Sequence, residues 1–167
     1  FGFAENTDDL FVGKTLLHGD VLMWLMKTLL TSGCTNQRGA GQIAENLIAN
    51  IQSETDMPIV IVHGPKGEDK ARELVNSYNN VYRLSLSPSI KRSAAIIKDA
   101  YIAITPDTSI LHMASAYNTP VVAIYADYKT RWPAMADVSE SVVVGKKFDN
   151  ISLDEFAKAL KSVLARI

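Results

Sequence analysis

From Met57 onward, five short runs of aliphatic and β-branched residues recur: Ile59-Val60-Ile61-Val62, Val81 to Leu84, Tyr101 to Ile104, Val121 to Tyr125 and Ser141 to Val144. Most carry no polar alternation, so a strand made from them needs cover on both faces. Stretches of helical periodicity between them supply that cover. Glu68 to Tyr78 places Ala71, Leu74 and Val75 on one face, and Ser89 to Asp99 places Ile90, Ala94 and Ile97 in a stripe. Ser109 to Tyr117 joins the third run to the fourth. Ser152 to Ala165 closes the chain, with Ser152 and Glu155 spaced as a capping box and Leu153, Phe156, Leu160, Val163 and Leu164 facing inward. Strand, crossover helix and strand in regular succession predict an α/β fold, a parallel doubly wound sheet with helices on both faces.

The first third is less regular. Gln42 to Gln52 reads as a helix with Ile43, Leu47, Ile48 and Ile51 inward, and Cys34 to Gly41 as a polar loop. Asp20 caps an expected helix through Thr31 that stops at Gly33, with Val21, Leu22, Leu25, Met26, Leu29 and Leu30 on an unusually wide apolar face. A face that wide predicts self-association through Val21 to Leu30, contact with a further half of the protein, or peripheral contact with a membrane. The chain thus divides into a mainly helical part over 1–56, with an incomplete first βα unit, and a core over 57–167. At 167 residues both belong to one domain.

Composition excludes several classes. Seventeen basic against 18 acidic side chains give a net charge of -1, no field for nucleic acid. A single cysteine, Cys34, rules out an internal disulfide and fits a reducing compartment. The run Val21 to Met26 is far shorter than the roughly 20 residues of a membrane span. Phe1 to Asp9 carries acids where a secretory leader would be basic. Gly13-Lys14-Thr15 lacks the first glycine of a phosphate cradle, since Asp8 stands there. His18, His63 and His112 have neither the spacing nor the cysteine partners of a zinc site, so no metal is expected.

The chemically informative stretch is Ile104 to Ala114, an apolar strand that ends in Pro106-Asp107-Thr108-Ser109 and turns into a helix. In open parallel sheets ligands bind beyond the carboxyl ends of the strands, where helix N-termini present amides and positive dipole ends. There the backbone amides of Thr108, Ser109 and Ile110 could hold a diphosphate, with His112 one turn further on. Equally, Asp107 or Thr108 could only cap a helix and His112 be a satisfied core residue.

Asp107 to Ala116, followed by Asn118-Thr119-Pro120 and the strand Val121 to Tyr125, resembles the Asp-Thr-Gly-x-x-His-x-Ala-Ala signature of the family 9 glycosyltransferases, the heptosyltransferases of lipopolysaccharide core assembly. The resemblance runs from about Ile59 to Leu164 and includes the preceding Ser89 to Ala100 segment. It implies one Rossmann-like half of a GT-B architecture, the C-terminal donor-binding one; a start at Phe1 fits half of such an enzyme. On the same resemblance Asp107, Thr108, Ser109, Ile110 and His112 meet the donor diphosphate and sugar. Ser109 departs from the family's glycine, and Ala126-Asp127 from its Gly-Pro. The loop His63 to Glu68 is similar to one that carries an acid for ribose hydroxyls, with Glu68 or Lys66 at that place, and Ser87 and Pro88 correspond to the loop against the base. For these two loops a plain turn and a helix start fit the residues as well. Tyr128 to Pro133 could bring Lys129 or Arg131 near phosphate, or form a solvated loop around a packed Trp132.

The expected function is the donor half of an inverting transferase moving a sugar, heptose from ADP-heptose, to a lipooligosaccharide or lipopolysaccharide acceptor without a cofactor. The acceptor glycolipid and the catalytic base would belong to the missing domain, so no residue here is catalytic and the fragment alone is expected to be inactive. The resemblance implies a cytoplasmic location, peripheral at the inner membrane of a Gram-negative bacterium. The rivals are a stand-alone nucleotide-binding module and a GT-B-like sugar-nucleotide epimerase.

Overall fold

The computed structural model describes residues 22–25, 37–126, 132–144 and 151–167. Its strands are β1 (Leu22–Leu25), β2 (Ile59–Val62), β3 (Val81–Arg83), β4 (Ile102–Pro106), β5 (Val121–Tyr125) and β6 (Ser139–Val143). Its helices are α1 (Gln37–Glu54), α2 (Glu68–Ser77), α3 (Ile90–Asp99), α4 (Ser109–Tyr117) and α5 (Leu153–Leu164), with a 3-10 turn at Pro65–Gly67. The strands form one six-stranded sheet in the order β3-β2-β1-β4-β5-β6. Every pairing is parallel. The strand order reverses at β1, so β1 and β4 flank the switch point beyond which ligands of such sheets bind.

Strand alternation sorts the core into two layers. Ile59, Ile61, Ile102, Ile104, Val122 and Ile124 face the layer that holds Leu47, Ile51, Leu74, Phe156 and Leu160. Val60, Val62, Ala103, Val121 and Ala123 face Ile96, Ile97, Ile110, Leu111 and Ala114 of α3 and α4. Each large aliphatic side chain so buried contributes about 1.5–3 kcal/mol. Alanine at 103 and 123 gives that second layer small side chains beneath the helices. The inward residues expected for α1 are all buried. Ser152 caps α5 as expected, its Oγ accepting from the Glu155 amide at 3.3 Å.

The structure corrects the reading of the first third. Leu22 to Leu25 is no helix: it is a strand in the middle of the sheet, Leu22 pairing with Ile59 on one side and Ile102 on the other. A strand paired on both edges offers no apolar helix face, which removes the basis for self-association or membrane contact at these four residues; Met26 to Leu30 lie outside the described residues, as do Asp20 and Gly33. The cause is physical: a fully buried strand and a buried helix segment both read as an unbroken apolar run. α1 also begins at Gln37, inside the expected loop. Its glycines Gly39 and Gly41 each cost about 1 kcal/mol in a helix, a weak penalty that tertiary packing overrides. In α3, Ile96 and Ile97 are buried, whereas Ile90 is 68% exposed and leaves the expected stripe.

Candidate nucleotide site

Three strand ends meet at the carboxyl edge. β4 ends in buried Thr105 and Pro106, and the chain turns at Asp107 and Thr108 into α4. Thr108 is the N-cap, its Oγ1 accepting from the Ile110 amide at 3.2 Å. Thr105 Oγ1 donates to the Pro106 carbonyl at 2.9 Å. Its only proton is therefore spent, and in the 3.3 Å contact between the two threonines Thr108 is the donor. The Thr108 hydroxyl is fixed from both sides. The first helical bond of α4 runs from the Leu111 amide to the Thr108 carbonyl at 3.0 Å. The amides of Thr108 and Ser109 precede that bond and face the start of the helix, where the dipole is positive, whereas the Ile110 amide is taken by the cap. Asp107 is exposed, with its own amide donating to the Ile124 carbonyl at 3.1 Å.

Between this corner and the ends of β2 and β3 lies an open hollow of about 150 Å³, lined by residues that include His63, Gly64, Pro88, Ile90, Ser109 and Met113. Of the expected residues, Pro88, Ser109 and Ile110 border it. Ser87 and Lys66 are exposed on the neighbouring loops, and exposed His112 lies on α4 outside the lining, where Met113 takes the inward position.

An ionic cluster holds the β2 side of the hollow. His63, 6% exposed, has Nδ1 2.9 Å from the Gly64 carbonyl and Nε2 3.2 Å from Glu68 Oε2. The other Glu68 oxygen meets Arg83 at 2.6 Å and Arg72 at 3.4 Å. Glu68 thus clamps the end of β2, the edge of β3 and its own helix. Arg83 donates to the Leu84 carbonyl at 3.2 Å, and Arg92 donates to that of Ser87, which shapes the loop before α3. Ser89 caps α3, accepting from the Arg92 amide at 3.2 Å. The sequence pattern brings the His63 to Glu68 loop to this region but does not reveal Ile90, Ser93, Met113 or Arg83 as parts of it. For His63 a signal existed, since it directly follows a buried strand at the carboxyl edge.

Beyond β5, the Tyr125 hydroxyl accepts from the Ala134 amide at 2.8 Å, and burial pushes its pKa above the ordinary phenol value, with the Asp107 charge acting in the same direction. Trp132 is 67% exposed. Lys129 and Arg131 lie outside the described residues. Among the described residues no three His, Cys, Asp or Glu side chains could hold a metal, and no helix is long and apolar enough to cross a membrane.

Residues 46–156 match the model of glycosyltransferase family 9 (heptosyltransferase). The chain belongs to that family. Among curated relatives, a Haemophilus influenzae protein whose name calls it a glycosyltransferase is 26% identical over 126 residues, covering 71% of this chain and 36% of its own length. The family 9 chain therefore spans about a third of that relative. Its fold is similar to that of E. coli ADP-heptose lps heptosyltransferase II, at a TM-score of 0.67 and 14% identity over 93% of this chain and 49% of that one. It is similar too to E. coli heptosyltransferase WaaC with ADP, at 0.62 and 18% over 91% and 45%. UDP-GlcNAc 2-epimerase of Methanocaldococcus jannaschii, in complex with UDP-GlcNAc and UDP, gives 0.61 and 18% over 89% and 39%. These neighbours share a Rossmann-like parallel sheet with the present family 9 chain, the architecture of one half of a GT-B enzyme.

Proposed function

We propose that this chain is the donor-binding half of a glycosyltransferase that moves a sugar, heptose from ADP-heptose, to a lipooligosaccharide or lipopolysaccharide core. The observation that carries the reading is the family 9 signature at the N-terminus of α4, beside an open hollow at the carboxyl edge of the sheet. The diphosphate lies on the amides of Thr108 and Ser109, with Asp107, Ile110 and His112 around it and Lys66 supplying charge from the β2 loop. The base lies against Ser87, Pro88, Ile90 and Met113. Glu68 meets the ribose side while its cation contacts fix the wall.

The reaction is a direct inverting displacement. An acceptor hydroxyl oxygen attacks the anomeric carbon, the bond from that carbon to the phosphate oxygen breaks, and the nucleoside diphosphate leaves with its new charge against amides already oriented at α4. The base that takes the hydroxyl proton belongs to another domain, so this chain alone binds donor without turnover. With this reading goes a cytoplasmic location, peripheral to the inner membrane of a Gram-negative bacterium. The similarity to the epimerase is one of fold, whereas the family match covers the site itself and favours the transferase.

Calorimetric titration with ADP tests the site. His112→Ala is expected to weaken binding by about 1–3 kcal/mol, and Ser109→Gly to keep or tighten it by allowing closer backbone approach. Equal affinity of wild type and His112→Ala would remove His112 from the site.

A further inference from the structure

The first turn of α3 holds no acid but carries Lys91 and Arg92. Cations are disfavoured there, because the helix dipole is positive at that end. Arg92 breaks this local preference and spends its side chain on the loop before the helix. Its amide donates to the cap, Ser89 Oγ, at 3.2 Å, and its guanidinium reaches back past the cap to donate to the Ser87 carbonyl. A third helical residue more commonly turns back to the amide of the cap itself. Pro88 stands between the two tied residues, its φ fixed by its own ring. The other end of the same loop is tied by Arg83, which donates to the Leu84 carbonyl at 3.2 Å and pairs with Glu68 at 2.6 Å. Pro88 and Ser89 line the hollow, whereas Arg92 lines a smaller one that shares those two residues and His63 with it.

We propose that Arg92 is a positioning residue for the donor nucleotide: acting through the Ser87 carbonyl, it holds Ser87 and Pro88 where they meet the base and does not itself touch the ligand. The inference rests on the donor-site reading above and deepens it. The diphosphate lies on α4, a different element, so loss of the guanidinium slackens the contact with the base and leaves the amides of Thr108 and Ser109 in place. A slack loop must be ordered each time the base arrives, and that entropy is taken from the affinity.

Arg92→Met keeps a long stem and removes the donor. Amide NMR of the 167-residue chain titrated with ADP reads affinity and location together. The dissociation constant of the variant is expected to rise about five- to twentyfold. At saturation the Thr108 and Ser109 amides are expected to shift as in wild type, and those of Ser89 and Ile90 to differ. Arg92→Lys keeps a charged donor but not the planar fork, and its constant is expected to be about three- to fivefold above wild type, below that of the Met variant. An unchanged constant in the Met variant overturns the proposal, as does a loss shared by the Thr108 and Ser109 shifts, or a Lys variant that binds no tighter than the Met variant. Should the Met variant fail to fold, the Lys variant decides: a constant within about twofold of wild type overturns the role of Arg92. Wild-type protein that binds no ADP at millimolar concentration overturns the donor site and this inference together, whereas ADP bound alike by wild type and variants overturns the inference alone.

Discussion

Replacing Thr108 with valine removes both bonds of the hydroxyl that orders the start of α4, at nearly constant volume. The cap bond, from the Ile110 amide at 3.2 Å, contributes about 0.5–2 kcal/mol by the usual range for threonine caps. The bond to Thr105 Oγ1, at 3.3 Å, is long and adds about 0.5 kcal/mol. Thr105 is fully buried, but its hydroxyl still donates to the Pro106 carbonyl, so the variant does not isolate it. The expected loss is therefore about 1–2.5 kcal/mol, which for a domain of this size lowers the melting temperature by roughly 3–8 °C. Thr108→Ser retains both bonds and is expected to lose less than about 0.5 kcal/mol. Urea unfolding followed by circular dichroism measures both variants. A valine variant within about 0.5 kcal/mol of wild type would refute the oriented hydroxyl.

Glu68→Gln should loosen the His63, Arg72 and Arg83 contacts; with Glu68 about one-third exposed, the cost in urea unfolding is about 1 kcal/mol, and no measurable loss would contradict a clamp. Burial alone would lower the Lys70 pKa, but hydrogen bonds and Coulomb attraction from Glu45 and Glu73 outweigh it and hold the group above its ordinary 10.5. Lys70 therefore adds stability that is full below that value and fades as pH rises through the higher folded pKa; a Lys70→Met variant with the same alkaline unfolding profile as wild type would refute this. Tyr125 ionises above 10.0 because burial opposes its phenolate, so in ultraviolet titration it should be among the last tyrosines to ionise, and Tyr125→Phe should remove that late step. Stability from this group is level below 10.0 and falls as pH rises past it.

The parallel sheet was legible because β2 to β6 are short, rich in aliphatic residues and mostly separated by amphipathic helices, a pattern few other folds produce. Ser152 announced α5 for a local reason, since a cap is a contact between near neighbours in sequence. β1 was not legible: its strand character comes from pairing with Ile59 and Ile102, partners that lie more than thirty residues away in the chain. The corner at Asp107 to Ile110 could be read from the apolar strand that ends there and from its signature residues. Ile90 could not, because an apolar residue at the start of an amphipathic helix looks like core, and only the hollow beside it explains its exposure. The Glu68 cluster was hidden for the same reason as β1: His63 and Arg83 sit on different strands, and only β2–β3 pairing brings them to one carboxylate.

The most direct measurement of the central claim is amide NMR of the 167-residue chain titrated with ADP. Shifts concentrated at Thr108, Ser109 and Ile110, with companions at Gly64 and in the loop before α3, are the outcome expected of a donor site at the carboxyl edge of the sheet. Shifts clustered at the opposite edge, or none at saturating nucleotide, would contradict it.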